Sequence, residues 1–138
     1  MSTLFMKTTI AGGAALLLGA SATIAGLAAL ELPAHAAAKA RVTVTITQDN
    51  AEMSGTVKSP KPAKCANNRT VWVWEQIGQR GGGDDIKSFQ DTTSLQSGKY
   101  VWNTGTTGVE GFFYAKVGAK KGCKADSSPT IEVRRDPN

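Results

Sequence analysis

The chain has 138 residues, with 16 lysines and arginines against 11 acidic residues, a formal net charge of +5 and 41% hydrophobic residues. Of the 56 hydrophobic residues, 22 lie in the first 36, so that only 33% of the remaining 102 residues are hydrophobic. The single histidine, His35, also lies in that first segment. Residues 37–138 therefore cannot form a histidine-based triad, a Cys–His pair or a histidine metal site. We predict that the protein is not an enzyme and that it uses no metal and no cofactor.

Residues 1–36 have the pattern of a secretory signal peptide. Lys7 precedes an apolar stretch over residues 10–30, and Pro33 and the triplet Ala34-His35-Ala36 follow it. An uncleaved membrane anchor is the alternative, because the apolar stretch is long enough to approach a membrane span. We predict an N-terminal signal helix, removal at Ala36, and a single exported domain over residues 37–138. The location is then secreted, extracellular or in the cell envelope.

The two cysteines, Cys65 and Cys123, both lie in the exported part. Exported chains meet oxidising conditions, and two cysteines allow only one pairing. The predicted disulfide closes a loop of roughly 59 residues, which the chain-entropy estimate equates with about 4 kcal/mol of stability.

Residues 37–138 contain nine valines, four isoleucines and eleven threonines, against one leucine and one methionine. This balance favours strands, since branched β-carbons fit a pleated surface and lose rotamer freedom in helices. Seven short runs bounded by turn residues are predicted strands. They cover residues 42–47, 52–58, 69–76, a weak run around 86–89, 99–103, 112–117 and 130–135.

Seven short strands in about 100 residues are typical of an all-β, antiparallel two-sheet sandwich. We predict a seven-stranded sandwich with Greek-key connections, of immunoglobulin-like or transthyretin-like type, and a small barrel is the main alternative. If successive strands run up and down, the loops after the second and sixth strands lie at the same end. Those loops contain Cys65 and Cys123.

Several segments resemble the transthyretin-like, carboxypeptidase-regulatory-like family, also called prealbumin-like, of exported β-sandwich domains. The segments that carry this resemblance are Gly55-x-Val57-x-Ser59, Arg69-x-Val71-x-Val73, the stretch from Asp91 to Trp102, and Tyr114 to Val117 with Cys123. The resemblance covers roughly residues 42–134. It implies a non-catalytic surface, adhesion or accessory module.

Trp72 and Trp74 form the sharpest candidate binding feature. If Val71 and Val73 face the core, both indoles point outward, and Tyr114 is expected to extend the same aromatic stripe. Exposed aromatic patches suit stacking on sugar rings or contact with a protein partner. The alternatives are that a loop near residues 79–90 covers these rings, or that the tryptophan face is the buried one.

The second candidate is a group of five lysines in the two cysteine loops. This group is Lys61, Lys64, Lys120, Lys121 and Lys124. It is predicted to attract a cell-surface polymer, an anionic lipid or another anion, whereas lysines that only keep loops soluble are the simpler interpretation. Lys58 and Arg69 are counted at the same end, and an excess of acidic residues is predicted at the opposite end. Nucleic acid is disfavoured, because the basic loops lack a stacking motif.

These features favour a secreted, non-catalytic β-sandwich that binds an unidentified ligand at a surface. One alternative is a structural or assembly protein of the cell envelope, in which strand edges or oppositely charged ends associate. The other alternative is an accessory domain of a hydrolase. Neither the ligand nor the oligomeric state follows from the sequence.

We expect the intact mass of the exported protein to correspond to a chain that begins at Ala37. Reduction should raise this mass by about two hydrogens, because the only two thiols are joined. Two alkylatable thiols without reductant would contradict the disulfide, and a mass that includes residues 1–36 would favour the membrane anchor.

Overall fold

A computed structural model describes residues 36–135, and the predicted signal helix lies outside this range. Ten strands and one short helix make up the described part. In chain order they are β1 (Thr43–Val44), β2 (Thr47–Asp49), β3 (Glu52–Lys58), α1 (Pro62–Cys65), β4 (Thr70–Glu75), β5 (Ile86–Thr92), β6 (Ser94–Gln96), β7 (Lys99–Thr106), β8 (Gly111–Val117), β9 (Asp126–Ser127) and β10 (Ile131–Val133). Within residues 36–135, no helix combines the length and apolar content required to cross a membrane.

The strands form two sheets in which every paired strand is antiparallel. The first sheet has the order β1-β3-β7-β6, with β2 also paired to β3. The second sheet has the order β10-β8-β4-β5, with β9 also paired to β8. This arrangement confirms the predicted all-β class with two antiparallel sheets.

The number of strands differs from the seven that were predicted. The first predicted run is divided into β1 and β2, because residues 45 and 46 leave the ladder between them. The strands β6 and β9 were not predicted, since all three residues of β6 are exposed and β9 has only two residues. Segments of two or three residues are too short for an alternation of apolar and polar side chains to identify them as strands.

The hydrophobic core lies between the sheets and follows the predicted alternation. Val42, Val44 and Ile46 are buried on the first edge of the sandwich, while the threonines between them are half-buried or exposed. The other apolar side chains at the centre come from both sheets. They are Met53, Val57, Trp102, Val71, Val73, Phe113, Ala115, Val117 and Val133.

Gly55 on β3 lies where the edge strand is interrupted. An ideal Cβ on Gly55 would be 1.9 Å from the backbone oxygen of Thr45 and 2.9 Å from the indole nitrogen of Trp102. Neither neighbour can move freely, because Thr45 donates its backbone N–H to Thr56 and Trp102 is buried in the core. The close approach of these groups therefore requires glycine at this position.

We predict that Gly55→Ala destabilises the domain by roughly 3 kcal/mol, since the new methyl group forces the Thr45 backbone away from β3. Urea unfolding followed by tryptophan fluorescence measures this change. Gly118→Ala is the matched control, because an ideal Cβ on Gly118 has no atom within 4 Å. Equal unfolding midpoints for the two variants would show that the close approach at Gly55 is unimportant.

Candidate functional site

A disulfide joins the loop before β4 to the loop after β8, as predicted. Cys65 and Cys123 are both fully buried, and their Cα atoms are 5.6 Å apart. An ideal Cβ on Gly122 would lie 2.7 Å from Nζ of Lys64, so the lysines of the two loops are close neighbours. The structure therefore brings the two predicted lysine groups together at one end.

Arg69 does not belong to the exposed charges, which corrects the sequence analysis. Its side chain is only 4% exposed, and its guanidinium donates to the backbone oxygen of Cys65 at 2.8 Å and to that of Gly118. Burial lowers the pKa of Arg69. The planar guanidinium can bind two carbonyl groups at once, so Arg69 connects the same two loops that the disulfide joins.

Thr93 fixes the position of Arg69 from the β5–β6 connection. The backbone N–H of Arg69 donates to the Thr93 hydroxyl at 2.8 Å, and the Thr93 N–H donates to the Arg69 oxygen at 2.9 Å. The same hydroxyl donates to the backbone oxygen of Ala66 at 2.5 Å. Because the chain passes from the second sheet to the first at Thr93, these bonds tie the basic loops to both sheets.

The N-terminal segment adds charges that the sequence analysis did not assign to this end. Ala40 donates to the backbone oxygen of Gly122 at 2.8 Å and accepts from the N–H of Lys124 at 2.9 Å. This pairing places Lys39 and Arg41 beside the cysteine loops. Nothing in the sequence pattern indicates it, because it depends on backbone bonds between distant segments.

A hollow of about 510 Å³ at this end is lined by Lys58, Lys99, Leu95, Tyr100 and Pro62, among others. Lys99 is the lysine of this hollow that was not assigned to this end from the sequence. We call the exposed cationic side chains at this end the basic end. They are Lys39, Arg41, Lys58, Lys61, Lys64, Lys99, Lys120, Lys121 and Lys124.

No carboxylate neutralises the basic end within the part of the chain that the structure describes. The one ion pair in that part joins Arg134 to Glu132, 2.8 Å apart, at the far end of β10. The nearby Asp126 is half-buried, and its carboxylate accepts the backbone N–H of Val44 at 2.7 Å. The nine cationic side chains thus outweigh the Asp126 charge, and the net field at this end is positive.

The opposite end carries arginines as well as the acidic residues that were predicted to be in excess there. Asp49, Glu52, Asp84, Asp85 and Glu110 lie there as expected. Arg134 and Arg135 follow β10 to the same end, where the Arg135 N–H donates to Glu110 and the Arg134 N–H donates to Gln48. The charge asymmetry of the domain therefore comes mainly from the basic end.

The tryptophan face is the outer surface of β4. Val71 and Val73 are fully buried, whereas Trp72 and Trp74 are half-buried on the opposite side of the strand, as predicted. Nζ of Lys87 lies 4.1 Å from the ring centroid of Trp72 and 5.2 Å from that of Trp74. Nζ of Lys116 lies 5.0 Å from the Trp74 centroid. Each indole is therefore in contact with an ammonium group, a favourable cation–π arrangement.

Tyr114 does not extend this face as an accessible ring, so its assignment as a ligand contact is wrong. It pairs with Trp74 in the β4–β8 register but is only 3% exposed, because the loop between β4 and β5 covers it. The Arg80 guanidinium carbon lies 4.1 Å from its ring centroid. A covering loop was the alternative considered from the sequence, and it applies to Tyr114 rather than to the two tryptophans.

Asp85 organises this covering loop. Its carboxylate accepts the Tyr114 hydroxyl at 2.6 Å, the Gly81 N–H at 2.9 Å and the Ile77 N–H at 3.1 Å. The Tyr114 hydrogen bond, and then the Gly81 N–H, lower the pKa of Asp85. Burial first, and then the Asp85 carboxylate, raise the pKa of Tyr114 to about 12. Asp84, by contrast, is exposed, as expected for a solvated turn.

Two hollows follow the tryptophan face towards the basic end. The first has a volume of about 410 Å³ and is lined by Trp72, Trp74, Lys116, Gly118, Asp126 and Ser127, among others. The second, of about 330 Å³, is lined by Trp72, Gly118, Thr70, Asn68 and Lys120, among others. Because Trp72 and Gly118 line both hollows, we describe them together as the indole groove.

Within residues 36–135, no group of three or more histidine, cysteine, aspartate or glutamate side chains is placed to hold a metal ion. Both cysteines are consumed by the disulfide. The described surface has a cationic area, the basic end, that is continuous with the indole groove.

Comparisons of the chain with protein-family models, with curated proteins and with solved structures found no match. The resemblance to transthyretin-like domains therefore rests on the residues alone, and the function has to be argued from the site.

We predict that Asp85→Asn lowers the pKa of Tyr114 from about 12 towards its ordinary value of 10, because the carboxylate stabilises the protonated phenol. The value should stay above 10, since burial persists. Titration of tyrosinate absorbance measures the change, with Tyr114→Phe to identify which transition belongs to Tyr114. An unchanged Tyr114 transition in Asp85→Asn would contradict the contact.

The contact between Tyr114 and Asp85 makes the stability of the covering loop depend on pH at both high and low pH. The folded-state pKa of Tyr114 is raised, so its contribution is complete below pH 10 and disappears as the pH rises towards 12. The folded-state pKa of Asp85 is lowered, so its contribution is complete above the unfolded value of about 3.9 and disappears as the pH falls through the folded value.

Proposed function

We propose that the protein is an exported, non-catalytic β-sandwich module that binds an anionic polymer of a cell surface through its basic end. The observation that carries the proposal is the unneutralised group of nine exposed cationic side chains at one end of the described domain. A field of one sign attracts anionic polymers over several ångströms and accelerates their association.

The rigidity of the basic end supports binding rather than mere solubility. Lysines that only keep loops soluble need no fixed arrangement, yet here the loops are joined by the disulfide and by Arg69. A preorganised cationic surface loses less conformational entropy when an anion binds. If the lysines only kept the loops soluble, the two loops that carry them would not have to be joined.

Export is part of the same proposal. It is supported by the leader pattern of residues 1–36 and by the disulfide, which persists in oxidising compartments. The transthyretin-like resemblance, with its Greek-key connections, supports a surface or accessory module in place of an enzyme. An accessory domain of a hydrolase would bind a polymer in the same way.

The assembly alternative has weaker support. Head-to-tail association requires a complementary acidic end, and Arg80, Arg134 and Arg135 offset the acidic residues there. Light scattering at increasing protein concentration distinguishes the two functions, since self-assembly would raise the mass without any added polymer.

We predict that Lys61→Gln/Lys64→Gln weakens binding to dextran sulfate by about tenfold or more, because a lysine near an anionic surface contributes about 1 kcal/mol. The matched control is Arg134→Gln/Arg135→Gln, which removes the same charge from the opposite end. Titration calorimetry at low and high salt measures both variants, with neutral dextran as the reference polymer. Equal losses in the two variants, or binding that salt does not weaken, would refute the role of the basic end.

A further inference from the structure

The indole groove combines apolar ring surface with ammonium groups, whereas a site that binds charge alone needs only the ammonium groups. Trp72 and Trp74 present indole surface on the outer side of β4, about 7 Å apart along the strand. Lys116 lines the groove beside them, and Lys120 lines its other end. A ligand that follows the groove therefore meets apolar ring surface and the Lys116 ammonium, with the half-buried Asp126 carboxylate beside them, and then the lysines of the basic end.

The groove side of the two indoles is separate from the side that Lys87 occupies. Lys87 reaches Trp72 from β5, which pairs with one edge of β4, and it does not line either hollow. The groove lies over β8 and β9 on the other edge. Lys87 thus lies on the β5 side of the indoles, and the Lys116 ammonium lies over Trp74 from the groove side, so the groove side of Trp72 is the ring surface left to a ligand.

Uronic acid units have the chemistry that this groove matches. A pyranose ring offers a face of C–H groups that packs on an indole, and its equatorial carboxylate projects from the edge of the ring. An ammonium group 5.0 Å from the Trp74 centroid, that of Lys116, can pair with such a carboxylate while the ring covers an indole. Polyphosphate has no apolar ring face, so it gains nothing from the tryptophans.

We infer that the indole groove is a subsite for an acidic polysaccharide, whose uronate chain runs from Trp74 across Trp72 to Lys120 and on to the basic end. This inference rests on the proposed function and adds the class of polymer. Gly118 lies at the junction of the two hollows, where the absence of a side chain keeps the path continuous.

The test is the binding of polygalacturonate to the folded domain, compared with its fully methyl-esterified form and with polyphosphate. Polygalacturonate should bind at least about tenfold more tightly than the methyl ester, which keeps the rings but loses the charges. It should also change the tryptophan fluorescence, which polyphosphate should leave unaltered. Equal binding of polygalacturonate and polyphosphate at matched charge, without a fluorescence change, would overturn the inference.

Gly118→Leu blocks the groove without disturbing the fold. An ideal Cβ on Gly118 has no atom within 4 Å, and its φ lies outside the left-handed region, so a side chain is accommodated. We expect this variant to bind polygalacturonate about tenfold more weakly or worse, because central contacts dominate affinity. The matched control is Thr106→Leu, which adds bulk at an exposed position of β7 at the opposite end of the domain.

The outcomes separate the inference from the proposed function. If Gly118→Leu binds polygalacturonate as tightly as the unaltered domain while Lys61→Gln/Lys64→Gln binds it weakly, the groove is not a subsite and the basic end keeps its role. If neither dextran sulfate nor polygalacturonate binds at low salt, both proposals fail. Trp72→Phe, which keeps an aromatic ring, should retain more affinity than Trp72→Leu at equal unfolding midpoints.

Discussion

The two cysteine loops are connected by the disulfide and by Arg69, and the surface properties of this domain depend on this connection. One loop leads from the first sheet to the second, and the other leads from β8 to β9. The disulfide and the Arg69 guanidinium bind these loops together at neighbouring points, since Arg69 donates to the carbonyl of Cys65 itself. Gathering nine cationic side chains at one end costs free energy through mutual repulsion. A covalent bond and a buried guanidinium oppose that repulsion, so the charges stay together without an acidic partner.

Arg69 adds a further positive charge beneath this surface. A buried ion normally needs a partner of opposite charge, yet the hydrogen-bond acceptors of Arg69 are two neutral carbonyl groups. Removing its side chain would leave both carbonyls without a donor and would free the two loops from one another. A lysine could not replace it, because a single ammonium group lacks the fork geometry that reaches two loops. The residue that stabilises the basic end thus also strengthens its field.

Local patterns in the sequence predict most of the sandwich, whereas contacts between distant loops decide what its surface offers. The alternation of Val71 and Val73 with Trp72 and Trp74 is a property of one strand, and the structure confirms it. From the sequence alone, Arg69 is predicted to be one more surface charge. In the structure it donates a hydrogen bond to the carbonyl of Gly118, which is 49 residues away in the chain. Tyr114 shares a face with the tryptophans by alternation alone, but its exposure depends on Asp85, 29 residues earlier in the chain. No periodic pattern encodes such pairings, because each depends on which segments the strand order of the second sheet brings together.

The indole groove connects the tryptophan face with the basic end, and the selectivity of the proposed site depends on this connection. Lysine charges alone would attract any polyanion at a salt-dependent rate and distinguish poorly between backbones, since charge fields steer association more than they select partners. Two half-buried indoles alone offer little area, and neither has a deep pocket around it. The groove links them through Trp72 and Gly118, so that in the proposed function a polymer captured by the charges would be presented to the indoles at high effective concentration. Only a chain that carries charge and an apolar ring face in each unit benefits from both surfaces, and selectivity then comes from the groove while the basic end supplies capture.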